Sequence, residues 1–181
     1  MKKTLLAAAL LALALPALAQ PAAPPAAPAA APPPAPVSNA PKNWAVIVMT
    51  ANLNASADEG WKKIKGDDYC AFIVHLGMNS CVLTVGTGDV GTNRLLNGTI
   101  NELMVSKTSR SYVYAQPTSP IFYHGTMAVE PVTATTSRIV YTLVYDNANI
   151  APEGRAAEMD RRRVRFQGAI DKMAAAANAM K

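Results

Sequence analysis

Few side chains in this sequence could handle a proton, a charged headgroup or a metal. His75 and His124 are its two histidines, and imidazole is the side chain whose ordinary pKa suits acid–base work near neutrality. Arg94 and Glu102 lie in stretches that read as strands, and Arg163 lies in an otherwise apolar helical stripe. Two readings follow. In one, Arg163 is buried and takes Glu102 as its partner, with Arg94 as a second candidate, so that the charges fix a ligand headgroup. In the other, Arg163 sits at the helix edge and carries its charge out to water, leaving Glu102 exposed. Tyr112, Tyr114, Tyr123, Tyr141 and Tyr145 add rings with hydroxyls, which suit either a ligand or an ordinary sheet. Tyr112 and Tyr114 fall on one side of their strand, so they are expected to share a role. An enzyme would use His75 or His124 with Arg94 or Glu102 to move a proton α to a carbonyl. No nucleophile triad, paired-carboxylate signature or metal pattern accompanies them, so neither a metal nor a cofactor is implied.

The elements that must position these groups begin from the chain's end. Pro152 suits a first helical position, and Glu153 and Glu158 favour a helix start. Met159, Phe166, Ile170, Met173 and Ala177 then recur at helical spacing, giving one apolar stripe down a helix from Pro152 to Met180. Arg163 falls within that stripe; Arg161, Arg165, Asp171 and Lys172 fall outside it. Such a helix needs a large surface, and the preceding chain supplies strands. Asn43–Asn54 reads as a first strand with both faces largely covered. Two short helices follow, Ala57–Ile64 and one from Asp67 or Asp68 to about Val74. From Cys81 the period is two: Cys81–Val85, Thr92–Leu96, Ile100–Lys107, Ser111–Gln116, Ile121–Val132 and Ser137–Tyr145 form an antiparallel meander. Asn97-Gly98 is a two-residue hairpin signal. Gly86-x-Gly88-x-x-Gly91 spells a dinucleotide-type pattern, but a strand follows it where a phosphate site needs a helix, so it reads as a hairpin loop. The fold class is α+β, a curved antiparallel sheet wrapped around a long C-terminal helix.

Of the 181 residues, Met1–Ala19 reads as a bacterial signal peptide: Lys2 and Lys3, an apolar run Leu5–Leu15, and Ala17-Leu18-Ala19 before a cut at Gln20. The run is shorter than the ~20 residues that span a bilayer, so no transmembrane anchor is expected after cleavage. Localisation is then periplasmic or secreted. Gln20–Pro41, with nine prolines, reads as a Pro/Ala-rich linker, either a semi-rigid spacer or a disordered leader. The globular domain is 42–181. Removing Lys2 and Lys3 from the 17 basic side chains leaves 15 against 12 acidic ones, a balance of +3 that argues against nucleic acid. Cys70 and Cys81, eleven residues apart in an oxidising compartment, read as a disulfide.

The order strand, two small helices, meander, long helix resembles the helix-grip fold of the START-like (SRPBCC) superfamily, in particular its polyketide cyclase/dehydratase-like branch. Val74-His75-Leu76-Gly77-Met78-Asn79-Ser80-Cys81 is similar to that branch's Trp-His-Pro segment followed by a cysteine, with Val74 for Trp and Gly77 for Pro. Asn93-Arg94-Leu95, Asn97-Gly98 and Ile100-Asn101-Glu102-Leu103 look like its strand–turn–strand with an Arg and a Glu-Arg-Leu, without the second Arg. Pro120-Ile121-Phe122-Tyr123 looks like the loop leading to its sixth strand. The resemblance implies a cavity between sheet and helix for lipids, polyketides, hormones or other apolar ligands. Its expected lining is Arg94, Glu102, Tyr112 and Tyr114, with Tyr123, Tyr141, Arg163, Phe166 and Ile170 around them. Three functions are then in play: binding a small apolar or amphipathic ligand, cyclase- or dehydratase-like catalysis, and a periplasmic accessory role through a protein partner. Binding predicts an apolar cavity with polar groups at one end; catalysis adds His75 or His124 inside it; an accessory role predicts a filled core and an exposed apolar patch.

Overall fold

An extended strand sends successive side chains to opposite faces. β1 (Trp44–Leu53) buries every second side chain, Ala45, Ile47, Met49, Ala51 and Leu53, and turns the other set outward. The computed structural model describes residues 43–180; the expected signal peptide and Pro/Ala linker lie outside them. After β1 come α1 (Ala57–Lys63), α2 (Ala71–His75), β2 (Cys81–Val85), β3 (Asn93–Leu96), β4 (Ile100–Thr108), β5 (Ser111–Ala115), β6 (His124–Pro131), β7 (Ser137–Asp146) and α3 (Arg155–Ala179). The strands form one seven-stranded antiparallel sheet in the order β1-β7-β6-β5-β4-β3-β2. The fold is the helix-grip fold expected from the sequence.

α3 is held by burial more than by propensity. Phe166, Ala169, Ile170, Met173, Ala174 and Ala177 are buried against the sheet and α2. Phe166, Ile170 and Met173 each contribute about 1.5–3 kcal/mol by leaving water. The helix also covers the free edge of β1. Gln167 Nε2 donates to the Thr50 carbonyl at 2.9 Å, Asn178 Nδ2 to the Asn52 carbonyl at 3.1 Å, and Asn54 N–H to Asn178 Oδ1 at 2.8 Å. Edge groups that would invite another strand are thereby satisfied within the chain.

Several boundaries move for local reasons. Pro152–Gly154 is a turn of 3-10 helix, and regular α-helix starts only at Arg155. α2 starts at Ala71 rather than Asp67 or Asp68, because Asp68 Oδ1 accepts the Cys70 N–H at 2.9 Å and holds a turn. β6 starts at His124 rather than Ile121, because Phe122 has φ +50°, which no strand residue adopts. β1 is covered on one face only. Trp44, Val46 and Val48 stay 50%, 53% and 57% exposed, since α3 occupies only the concave side of the sheet. Trp44 leans on Phe122 there, ring centroids 6.5 Å apart. Cys70 and Cys81 are bridged, their Cα atoms 5.8 Å apart, joining the start of α2 to the start of β2. The glycine-rich segment is the β2–β3 hairpin loop, with Gly86, Gly88 and Gly91 all at positive φ.

Candidate functional site

The site begins at a hairpin register. A two-residue Asn97-Gly98 turn would set Arg94 opposite Asn101. The loop instead takes Thr99 as a third residue, so Leu96 pairs Ile100 and Arg94 faces Glu102 across β3 and β4. Both side chains point to the concave face, with Arg94 0% and Glu102 3% exposed. Arg94 Nε and Nη2 reach Glu102 Oε2 at 2.8 and 2.6 Å. Arg94 Nη1 donates to the Tyr69 carbonyl, and the guanidinium lies 4.0 Å from the Tyr69 ring centroid and 5.1 Å from that of Tyr114. A cation this deep persists only when paired and hydrogen-bonded. It ties the segment before α2 to the sheet. Glu102 Oε1, the other carboxylate oxygen, accepts Gln116 Nε2 at 3.0 Å.

Beside this pair the concave face is hollow. A cavity of about 210 Å³ lies between the sheet, α2 and α3. Tyr114 and Tyr141 make its sheet wall, with Tyr123 from the loop before β6; Ile73, Leu76 and Met78 come from α2 and the segment after it. Leu96, Ile100 and Ile121 add further apolar wall, and Phe166, Arg162 and Arg165 close it from α3. Glu102 and Gln116 supply polar atoms on one side. The Tyr114 and Tyr141 hydroxyls are hydrogen-bonded at 2.6 Å, and Tyr141 stacks on Phe166 at 5.5 Å. Burial pushes the phenols of Tyr114, Tyr123 and Tyr141 up, so all three are neutral at ordinary pH. Tyr114 lies flat over β6 because residue 125 is glycine; a Cβ there would meet its ring at 2.3 Å. Phe122, at positive φ, turns its own ring outward while Tyr123 enters the cavity.

The lining differs from the expected set in instructive ways. Glu102, Tyr114, Tyr123, Tyr141 and Phe166 line the cavity. Arg94 lies behind Glu102, and Ile170 is packed into the core without reaching the hollow. Tyr112 shares a face with Tyr114 but not its surroundings: Trp61 and Tyr69 pack edge-on against it at 6.2 and 5.4 Å. The expectation of one shared role is corrected, because the pleat sets the direction of a side chain and not what covers it. Arg163 is exposed and pairs with Asp160 at 2.5 Å; Arg162 enters in its place. On a 3.6-residue helix the two arginines flank the centre of the apolar stripe on opposite sides, so spacing alone cannot choose between them. Arg162 Nε binds Glu158 at 2.7 Å, and its guanidinium stacks over Tyr145 at 4.5 Å and Tyr123 at 5.5 Å. Gln116 reads as a surface residue until the fold half-buries it; Arg162 and Arg165 belong to an arginine run that reads as a solvated face, and the fold half-buries Arg162 while Arg165 stays exposed at the rim.

Neither histidine lies in the cavity. His75 lines a separate groove with Lys63, Met173 and Met180, and burial first, then Lys172, holds its imidazole below the usual range. His124 Nδ1 donates to the Phe122 carbonyl at 2.5 Å and is absent from the cavity wall. Neither histidine is therefore placed to transfer a proton beside Arg94 or Glu102. Among the described residues no group of three His, Cys, Asp or Glu could hold a metal ion, and no helix is long and apolar enough to cross a membrane.

Known structures share this architecture. Norcoclaurine synthase from Thalictrum flavum superposes with a TM-score of 0.57 at 15% identity, over 76% of this chain and 97% of that one. A protein from Nitrosospira multiformis gives 0.55 at 20% identity, over 71% and 96%. The Bacillus cereus protein XoxI gives 0.56 at 18% identity, over 72% and 96%. No family model and no curated protein sequence matches the chain. At these identities the likeness defines the fold, a helix grip of the kind seen in norcoclaurine synthase, and leaves function to the residues of this site.

Proposed function

We propose that this chain is an exported helix-grip domain that binds one compact, amphipathic small molecule between its sheet and α3. The cavity of about 210 Å³ carries this reading, because its walls are apolar and aromatic while Glu102, Gln116 and Arg162 gather polar atoms on part of its rim. Volume narrows the ligand class. A cavity of about 150 Å³ is enough for benzene, whereas drug-sized sites run to about 300–1,000 Å³. A single ring with a short substituent fills this hollow; a long-chain lipid or multi-ring polyketide would extend out of it. Export is supported by the Lys2–Ala19 leader pattern and by the Cys70–Cys81 bridge, which belongs to an oxidising compartment.

Native mass spectrometry of the mature protein taken from its own export compartment tests the reading. The expected result is a protein-bound small molecule that leaves on denaturation. A protein that is empty as isolated, and that binds none of a panel of single-ring compounds, would overturn it and shift weight to an accessory role.

A further inference from the structure

Resting on that reading, we infer that the ligand is a monoanion, an aromatic or branched carboxylate whose acid group faces the arginines of α3. The charges at the cavity decide this. The Glu102 charge is already balanced: Arg94 holds Oε2, and Oε1 accepts Gln116 Nε2. The Arg94–Glu102 pair therefore contributes no net charge to the wall. Arg162 is held rigidly by Glu158 and by the Tyr123 and Tyr145 rings, so its geometry is set before any ligand arrives. Arg165 lines the same cavity, and among the described residues no carboxylate pairs with it; its guanidinium lies 6.0 Å from the Phe166 ring centroid. Arg161 also holds Glu158, so the Arg161–Glu158–Arg162 cluster and the exposed Arg165 each leave one positive charge unmatched at this end, which beside neutral phenols repels an amine and attracts an acid.

The remaining wall agrees with this orientation. A carboxylate needs N–H or O–H donors, and the α3 end offers guanidinium groups for two-pronged contact. The ring would then rest among Phe166, Tyr141 and Leu96, away from solvent. A cationic ligand at Glu102 would share one carboxylate with the buried Arg94 guanidinium, placing two like charges side by side.

Three probes of nearly equal shape separate the possibilities: phenylacetate, 2-phenylethanol and 2-phenylethylamine, titrated into the mature full-length protein by calorimetry at low salt. Phenylacetate is expected to bind about tenfold tighter than the alcohol, as one well-placed charged hydrogen bond provides, and the amine weakest. Arg165→Gln should weaken phenylacetate severalfold and the alcohol much less, narrowing the gap between them. Added salt should weaken phenylacetate alone. If the alcohol or amine binds as tightly as phenylacetate, the anion inference fails and the cavity reading stands. If none of the three binds, both fail. Circular dichroism of Arg165→Gln, a surface substitution, confirms that the variant is folded.

Discussion

Tyr112 and Tyr114 stand two residues apart on one face of β5, and they mark two ends of the same concave surface. At the Tyr112 end, Trp61 of α1 and Tyr69 seal the sheet, and the Arg94 guanidinium fills the space between rings. At the Tyr114 end, α2 and α3 stand off the sheet and leave a hollow rimmed by Glu102, Gln116 and Arg162. The strand dictates the same orientation for both tyrosines, and helices far away in sequence give one a packing role and the other a place on a binding wall. The Arg94–Glu102 pair is the boundary, its cation on the sealed side and its carboxylate on the open one.

This contrast can be broken most strongly at that boundary. Arg94→Met should cost about 3–5 kcal/mol in urea denaturation, because it strands a buried Glu102 carboxylate. The double change Arg94→Met/Glu102→Met should recover much of the loss, whereas an undiminished loss would place the cost in packing rather than charge. A second large effect comes from the covalent staple. Ile73, Leu76 and Met78, which cover the open end, all lie inside the loop closed by Cys70 and Cys81. Cys70→Ser/Cys81→Ser should lower stability by about 3 kcal/mol in the chain-entropy account. Its ligand affinity should fall as well, which separates this loop from one that only supports the fold.

Much of this was legible before the structure. The long helix, the hairpins, the disulfide and the helix-grip order follow from periodicity, turn residues and cysteine spacing in the chain itself. The site was less so, for identifiable reasons. Arg162 and Arg163 are equivalent by helical spacing, and only the docking of α3 tells them apart. The Arg94–Glu102 register depends on whether Thr99 joins the turn, which no hydrophobic pattern specifies. Gln116 lies just past β5 and carries no signal of burial. Trp44, Val46 and Val48 suggested a covered face, yet apolar β-branched residues also occupy the open side of an edge strand, where they are favoured by propensity.

A smaller effect sharpens the picture of the open end. Tyr114→Phe and Tyr141→Phe should each cost about 1–3 kcal/mol, since each leaves the other hydroxyl buried without its partner. The double substitution should cost no more than either single one, as a double-mutant cycle in urea would reveal. Additive losses would mean that the two hydroxyls act independently.

The central claim is that one concave face is divided into a sealed end and a ligand end. It is tested most directly by isoleucine-methyl NMR of the mature protein during titration with phenylacetate. Ile73, Ile100 and Ile121 line the cavity, whereas Ile64 and Ile139 are buried in the core away from it. The account predicts saturable shifts at the first three and none at the last two. Shifts centred on Ile64 or Ile139, or no shifts at any methyl, would contradict it.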